Sequence, residues 1–153
     1  MKDLHFNVLL NQSLEIRSDY AYDEKIVHDE LEELISSVIE ESLESSMSEY
    51  LNYDLAGADM PEHLLDIKFN VEDLSSIVLN DDLDDLEVKV KIHAHSEKND
   101  LSEEDVKDIS DYLTILDNYL IDSYEPFSIS LSEDEVLTIR FTGRLAKVAV
   151  AEV

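Results

Sequence analysis

The chain has no cysteine and no tryptophan, and only two glycines and two prolines in 153 residues. Without cysteine there is no disulfide framework, thiolate metal site or cysteine nucleophile. Two glycines, Gly57 and Gly143, cannot build a phosphate-cradling loop, which excludes Rossmann and P-loop sites. They also supply no glycine-rich strained turn for a serine nucleophile. No apolar run reaches the length of a bilayer, and the N-terminus lacks a basic region followed by an apolar stretch. Positive charge is scarce as well: 11 Lys and Arg stand against 38 Asp and Glu, a formal net charge of −27.

That charge exceeds what solubility needs, and self-repulsion makes it costly to a compact state. A retained cost implies a use. Apolar residues make up 44% of the chain, so this is no disordered acidic tail. The length suits a single domain over 1–153 with a real core. DNA, RNA and anionic membranes would all repel the chain. The expectation is a protein of the cytoplasm, in a bacterial host cell, that binds neither nucleic acid nor membrane and prefers basic partners. Adaptation to high salt fits less well, because Lys outnumbers Arg and Ile, Asn and Tyr are plentiful. That usage looks more like an AT-rich genome.

Period-2 alternation marks strands at 4–10, 65–71, 86–95, 127–131 and 137–141. In 86–95, Val88, Val90, Ile92 and Ala94 share one side, and Lys89, Lys91, His93 and His95 the other. Residues 132–135, SEDE, suit a hairpin turn, and Gly143 suits another turn into a last strand at 145–151. A helix is expected from about Tyr22, with Val27, Leu31, Leu34, Ile35, Val38 and Ile39 on one face. The pattern fails after about Ser46, where the helix should end or bend. A second helix starts at Ser102, an N-cap with Asp105 three residues on. Its stripe is Val106, Ile109, Leu113, Leu116 and Leu120. The expected fold class is α+β: a ferredoxin-like βαββαβ order with extra C-terminal strands, and two acidic helices on one face of an antiparallel sheet. Residues 14–18 could instead pair with the first strand as a hairpin, and 72–86, which no pattern places, is expected as a loop or a short helix.

The segment DELEELISSVIEESLES (29–45) holds six Glu, one Asp and no base. From Ile26 to Ile67 there are twelve Asp or Glu and no Lys or Arg. Ordinary helices interleave Glu with Lys at i,i+4, because like pairs destabilise. Asp29 to Glu33 and Glu40 to Glu44 are each about 6 Å along a helix axis, close to the spacing of phosphates on one nucleic-acid strand. The candidate partner-binding residues are Asp29, Glu33, Glu40 and Glu44, the linker acids Asp81, Asp82, Asp84 and Asp85, and Asp108 and Asp111 of the second helix. Lys68, Lys89, Lys91 and Arg140, with His5, His93 and His95, fall on the polar side of the strands. Such segregation is what electrostatic steering toward a basic cleft uses.

Catalytic and metal patterns are weaker. His93-x-His95 points two imidazoles one way, but no third ligand follows from the spacing, so exposed histidines are the better reading. NDDLDDLE (80–87) resembles a calcium loop only in acid content, and lacks its central Gly and the closing Glu at the required spacing. Asp66 with Glu87-Val88-Lys89 copies the carboxylate pattern of restriction-type nucleases, yet an acidic surface repels their substrate. No metal, no cofactor and no enzymatic activity are expected.

In overall charge and helix patterning the chain resembles the acidic DNA-mimic inhibitors of phages and mobile elements, of the anti-restriction and anti-CRISPR type. The resemblance implies a non-enzymatic inhibitor that occludes the DNA- or RNA-binding cleft of a host nuclease, a CRISPR or restriction effector, or another basic nucleic-acid-binding protein. A homodimer is compatible with it. The alternative is an immunity protein or antitoxin that masks one co-encoded basic toxin.

Overall fold

The computed structural model describes residues 2–18, 24–53, 55, 60–98, 100–130 and 136–153, with backbone alone at 24–27 and 144–145. The element order is β1 (Asp3–Ser18), α1 (Glu24–Glu40), α2 (Leu43–Tyr53), β2 (Lys68–Leu79), β3 (Asp85–His95), α3 (Glu103–Leu113), α4 (Tyr119–Ser123), β4 (Phe127–Ser130) and β5 (Val136–Glu152). All strand pairs are antiparallel, in the order β2-β3-β1-β5-β4. The α+β class and the antiparallel sheet are as the alternation implied. Among the described residues no helix is long and apolar enough to cross a membrane.

The strands bury one side only. Leu4, Phe6, Val8 and Leu10 of β1 and Leu86, Val88, Val90, Ile92 and Ala94 of β3 are in the core, while the residues between them face outward. Against this floor pack Leu31, Ile35 and Ile39 of α1, Leu43, Met47 and Leu51 of α2, and Ile109 and Leu113 of α3. Tyr112 and Tyr119 are also buried there.

Three expectations change. Residues 14–18 form no hairpin, because β1 runs unbroken for 16 residues and pairs with β5 on one side and β3 on the other. Gly143 makes no turn. β5 continues through it, and the register with β1 jumps from Asn11↔Lys147 to Ser13↔Thr142. Gln12 and Ser13 are buried at this bulge, where the Ser13 hydroxyl donates to the Thr142 carbonyl at 2.8 Å and the Gln12 amide donates to the same oxygen. An irregularity of this size strengthens local twist. Finally, the strand beside β1 is β5, and 127–130 lies outside it at the sheet edge. The proposed turn at 132–135 lies outside the described residues.

The unread stretch 72–86 resolves into the second half of β2, a turn and the start of β3. β2 slips register twice against β3, between Val71 and Asp73 and between Leu74 and Ser76. Each slip breaks the alternation, which hides the strand in the sequence. Asn80 organises the turn: its Oδ1 accepts from the Asp84 and Asp85 amides at 2.9 and 3.0 Å. Leu83 has φ +58° and is buried.

The first helix breaks sooner than expected, at Glu41–Ser42, with weak closing bonds of 3.4 Å from Glu41 N to Ser37 O and from Ser42 N to Ile39 O. Serine hydroxyls bond back into the preceding turn, from Ser37 to Glu33 O and from Ser45 to Ser42 O. Such back-bonding bends helices. The break resets the phase, so Met47 is fully buried rather than outward. Val38, expected in the apolar stripe, precedes the break and is 36% exposed at the edge of that stripe. α3 begins as expected, with a reciprocal capping box between Ser102 and Asp105. It tightens into a 3-10 segment at Thr114–Asn118 before α4.

Candidate protein-binding surface

β2 is an edge strand, and its unpaired backbone groups are met by side chains of the two acidic helices. Asn52 donates to Phe69 O and accepts from Phe69 N, both at 2.9 Å. The Ser48 hydroxyl accepts from Val71 N at 2.9 Å, and Glu32 Oε2 accepts from Leu79 N at 3.0 Å. His28 Nε2 lies 2.7 Å from Leu79 O. A bare edge invites pairing with other chains. Here it is covered, and the helices are anchored with their remaining carboxylates outward. His28 is held above its ordinary pKa by its contact with Asp29 and by the Leu79 carbonyl.

Asp29, Glu33, Glu40 and Glu44 are all exposed. Asp29 and Glu33 keep the spacing of one continuous helix. Glu40 and Glu44 do not, since Glu40 ends α1 and Glu44 opens α2 across the break. Glu30 and Glu49 are exposed on the same two helices, and Glu41 is exposed at the break between them. Among the described residues no Lys or Arg pairs with any of these carboxylates.

The anchoring at Leu79 brings the β2–β3 turn to the Asp29 end of α1. Asp81 and Asp82 are exposed there. Asp84 and Asp85 have local duties instead: Asp84 Oδ1 accepts from the Asn80 amide at 2.6 Å, and Asp85 Oδ2 accepts from Asn11 at 3.1 Å. Asp111 is exposed and Asp108 half-buried on α3. That helix abuts the opposite end of the acidic pair, where the Tyr112 hydroxyl donates to Leu51 O. The structure therefore joins α1, α2 and the turn into one acidic border, and places the α3 acids beyond the far end of α2.

Charge counting missed a tyrosine-lined groove at that far end. Ser46, Ser48, Glu49, Tyr50, Asn52, Tyr53 and Ser123 line this groove, about 680 Å³ and wide open to solvent. Tyr53 is 84% exposed, and the Tyr50 hydroxyl donates to Asp122 at 2.9 Å. An exposed ring beside carboxylates offers an arginine both a π face and a counter-charge.

The open sheet face has a different electrostatic character. Several of its bases are balanced locally. Glu15 Oε2 lies 3.1 Å from Arg140 and 3.8 Å from Arg17, and Glu87 lies 3.6 Å from Lys89. His5 Nδ1 is 3.0 Å from Glu72. The nuclease-like set does not assemble. Asp66 precedes β2 and accepts from the Ser96 hydroxyl and Lys98 N, both at 3.2 Å. Glu87 is eight residues down β3 from His95, about 26 Å along the strand. No family model, curated protein or solved structure matches the chain, so the reading of this surface rests on its own residues.

Proposed function

We propose that the protein is a non-enzymatic inhibitor that presents its α1–α2 carboxylates in place of nucleic-acid phosphates and occludes the cleft of a basic nucleic-acid-binding protein. The class of target is a nuclease or a CRISPR or restriction effector, and the mode is stoichiometric. One observation carries this reading. Asp29, Glu30, Glu33 and Glu40 of α1 and Glu44 and Glu49 of α2 are exposed and without Lys or Arg partners among the described residues, whereas the Lys and Arg ion pairs lie on the open sheet face. A merely soluble surface mixes its signs. An unneutralised row on one side is costly to the free protein and favourable only against a cationic partner. Tyr53 and the groove beside it supply the aromatic anchor that charge alone lacks, since interface energy concentrates at aromatic and arginine contacts.

We read the scaffold as a ferredoxin-like arrangement widened by β4. In support, β3 lies between β1 and β2, and β5 flanks β1 on its other side.

The test is capture. The native protein, immobilised, is exposed to lysate of a bacterial host beside a Glu33→Lys/Glu40→Lys/Glu44→Lys variant. A basic nucleic-acid-binding protein retained by the native chain alone, and released by added duplex DNA, supports the proposal. Equal retention by both chains, or retention that DNA does not disturb, overturns it.

A further inference from the structure

The sequence shows two imidazoles at i and i+2 and no third ligand. The sheet supplies one. β1 runs antiparallel to β3 with Asp3 opposite His95 and His5 opposite His93. Asp3 Oδ1 lies 2.7 Å from His93 Nε2 and 2.7 Å from His95 Nδ1. One nitrogen from each ring and one carboxylate oxygen all fall within 4.8 Å of one another. From this geometry we infer a binding site for a Zn²⁺-class divalent transition metal on the open face of the sheet, formed by Asp3, His93 and His95.

The ligand set selects the class of metal. Imidazole suits zinc, nickel and copper, whereas magnesium and calcium prefer all-oxygen sites. Two histidines and a carboxylate with a fourth position open to water match the open tetrahedral zinc arrangement. Zinc bonds of about 2.0–2.2 Å place tetrahedral donors about 3.3 Å apart. The donors here need only modest side-chain adjustment to reach that spacing. His93, His95 and Asp3 are 26%, 37% and 50% exposed, so the metal has an approach from solvent and the side chains have room to move.

The surroundings hold the ligands in place. His5 stacks on His93 with ring centroids 4.8 Å apart and planes 10° from parallel. Glu72 on β2 fixes His5 in turn through its 3.0 Å contact. The backbone beneath is the paired end of the β1–β3 ladder, which costs little to organise on binding. Lys68 stands opposite His95 on β2, and Lys91 lies two residues before His93. Glu72 and Asp73 on β2 offset these two bases, so selection comes from the imidazole nitrogens and not from the local charge. This separates the site from the helical carboxylates, which attract hard cations without order.

Isothermal titration of the full chain with Zn²⁺, in millimolar Mg²⁺ to occupy the surface carboxylates, tests the assignment. One equivalent of Zn²⁺ should bind. His93→Asn and His95→Asn should each weaken it by about 100-fold or more, and Asp3→Asn by about tenfold. All three side chains are on the solvent face, so far-UV circular dichroism should stay unchanged. His63→Asn, remote on the helical side, should bind like the native chain. Co²⁺ in place of Zn²⁺ should give the visible bands of a four-coordinate site, absent in His93→Asn/His95→Asn. Zn²⁺ uptake that survives that double substitution, or no stoichiometric uptake at all, overturns the assignment.

Discussion

Reversing Glu33, Glu40 and Glu44 to lysine separates the fold from the binding surface, because the structure predicts opposite effects on each. Glu33 has Asp29 four residues and Glu30 three residues before it on α1. Each like pair costs about 0.2–0.5 kcal/mol, and an acid four residues before a lysine is the favourable orientation. Glu33→Lys therefore gains about 1 kcal/mol from its two neighbours. Glu40 is the last residue of α1, where a cation gains about 0.3–1 kcal/mol from the helix dipole. Glu44 is in the first turn of α2, where a cation loses a similar amount. The last two contributions offset one another. The triple variant should be more stable by about 1 kcal/mol, which raises the melting temperature by about 2–4 °C at this chain length. Thermal denaturation followed by circular dichroism measures it, beside the capture assay. A drop of several degrees would show that these carboxylates hold the fold, and would refute the claim that they are kept for a partner.

Met47→Ala should cost about 2–5 kcal/mol, because the helix break turns Met47 into the core. A neutral result in urea denaturation would contradict that packing. Asp105→Asn should lose about 1–2 kcal/mol by weakening the capping box and the His63 contact at 2.8 Å. Burial pushes the Asp105 carboxyl up, but the Ser102 N–H and His63 outweigh it and hold it below its ordinary value of 3.8. Its stabilisation is thus present above that value and lost as pH falls through the lowered one. The native-minus-variant stability difference should shrink in acid. His28 has the opposite sign: with its pKa raised above 6.5, its contribution is full below 6.5 and lost as pH rises through the raised value. His28→Gln should therefore flatten the pH dependence of melting between about pH 6 and pH 8, and an unchanged profile would exclude the Asp29 and Leu79 contacts as its cause.

Regular elements were legible where one principle governed them. The alternation of 86–95 and the Ser102 cap placed β3 and α3 to within a residue or two. The apolar stripe of α1 was legible up to the point where Ser37 and Ser45 bend the chain. Beyond it a single phase at 100° per residue put Met47 on the wrong side, since no local signal reports a reset of phase. β2 was half hidden because two bulges interrupt its period, and the Gly143 turn failed because the long partner β1 kept β5 extended. The exposed acids of α1 and α2 could be named from the sequence. That Glu32, Ser48 and Asn52 cover a sheet edge could not, because it depends on which strand lies outermost. Asp3 as the third donor beside His93 and His95 follows only from strand register, across 90 residues of chain.

Competition tests the central claim most directly. With a target obtained by capture, fluorescence anisotropy of labelled duplex DNA or guide RNA on that target is followed as the protein is added. The account predicts displacement at one equivalent, weakening as salt rises from screening of the encounter, with no anisotropy change when the protein meets the nucleic acid alone. A ternary complex, in which the target holds the protein and its nucleic acid together at undiminished affinity, would contradict it.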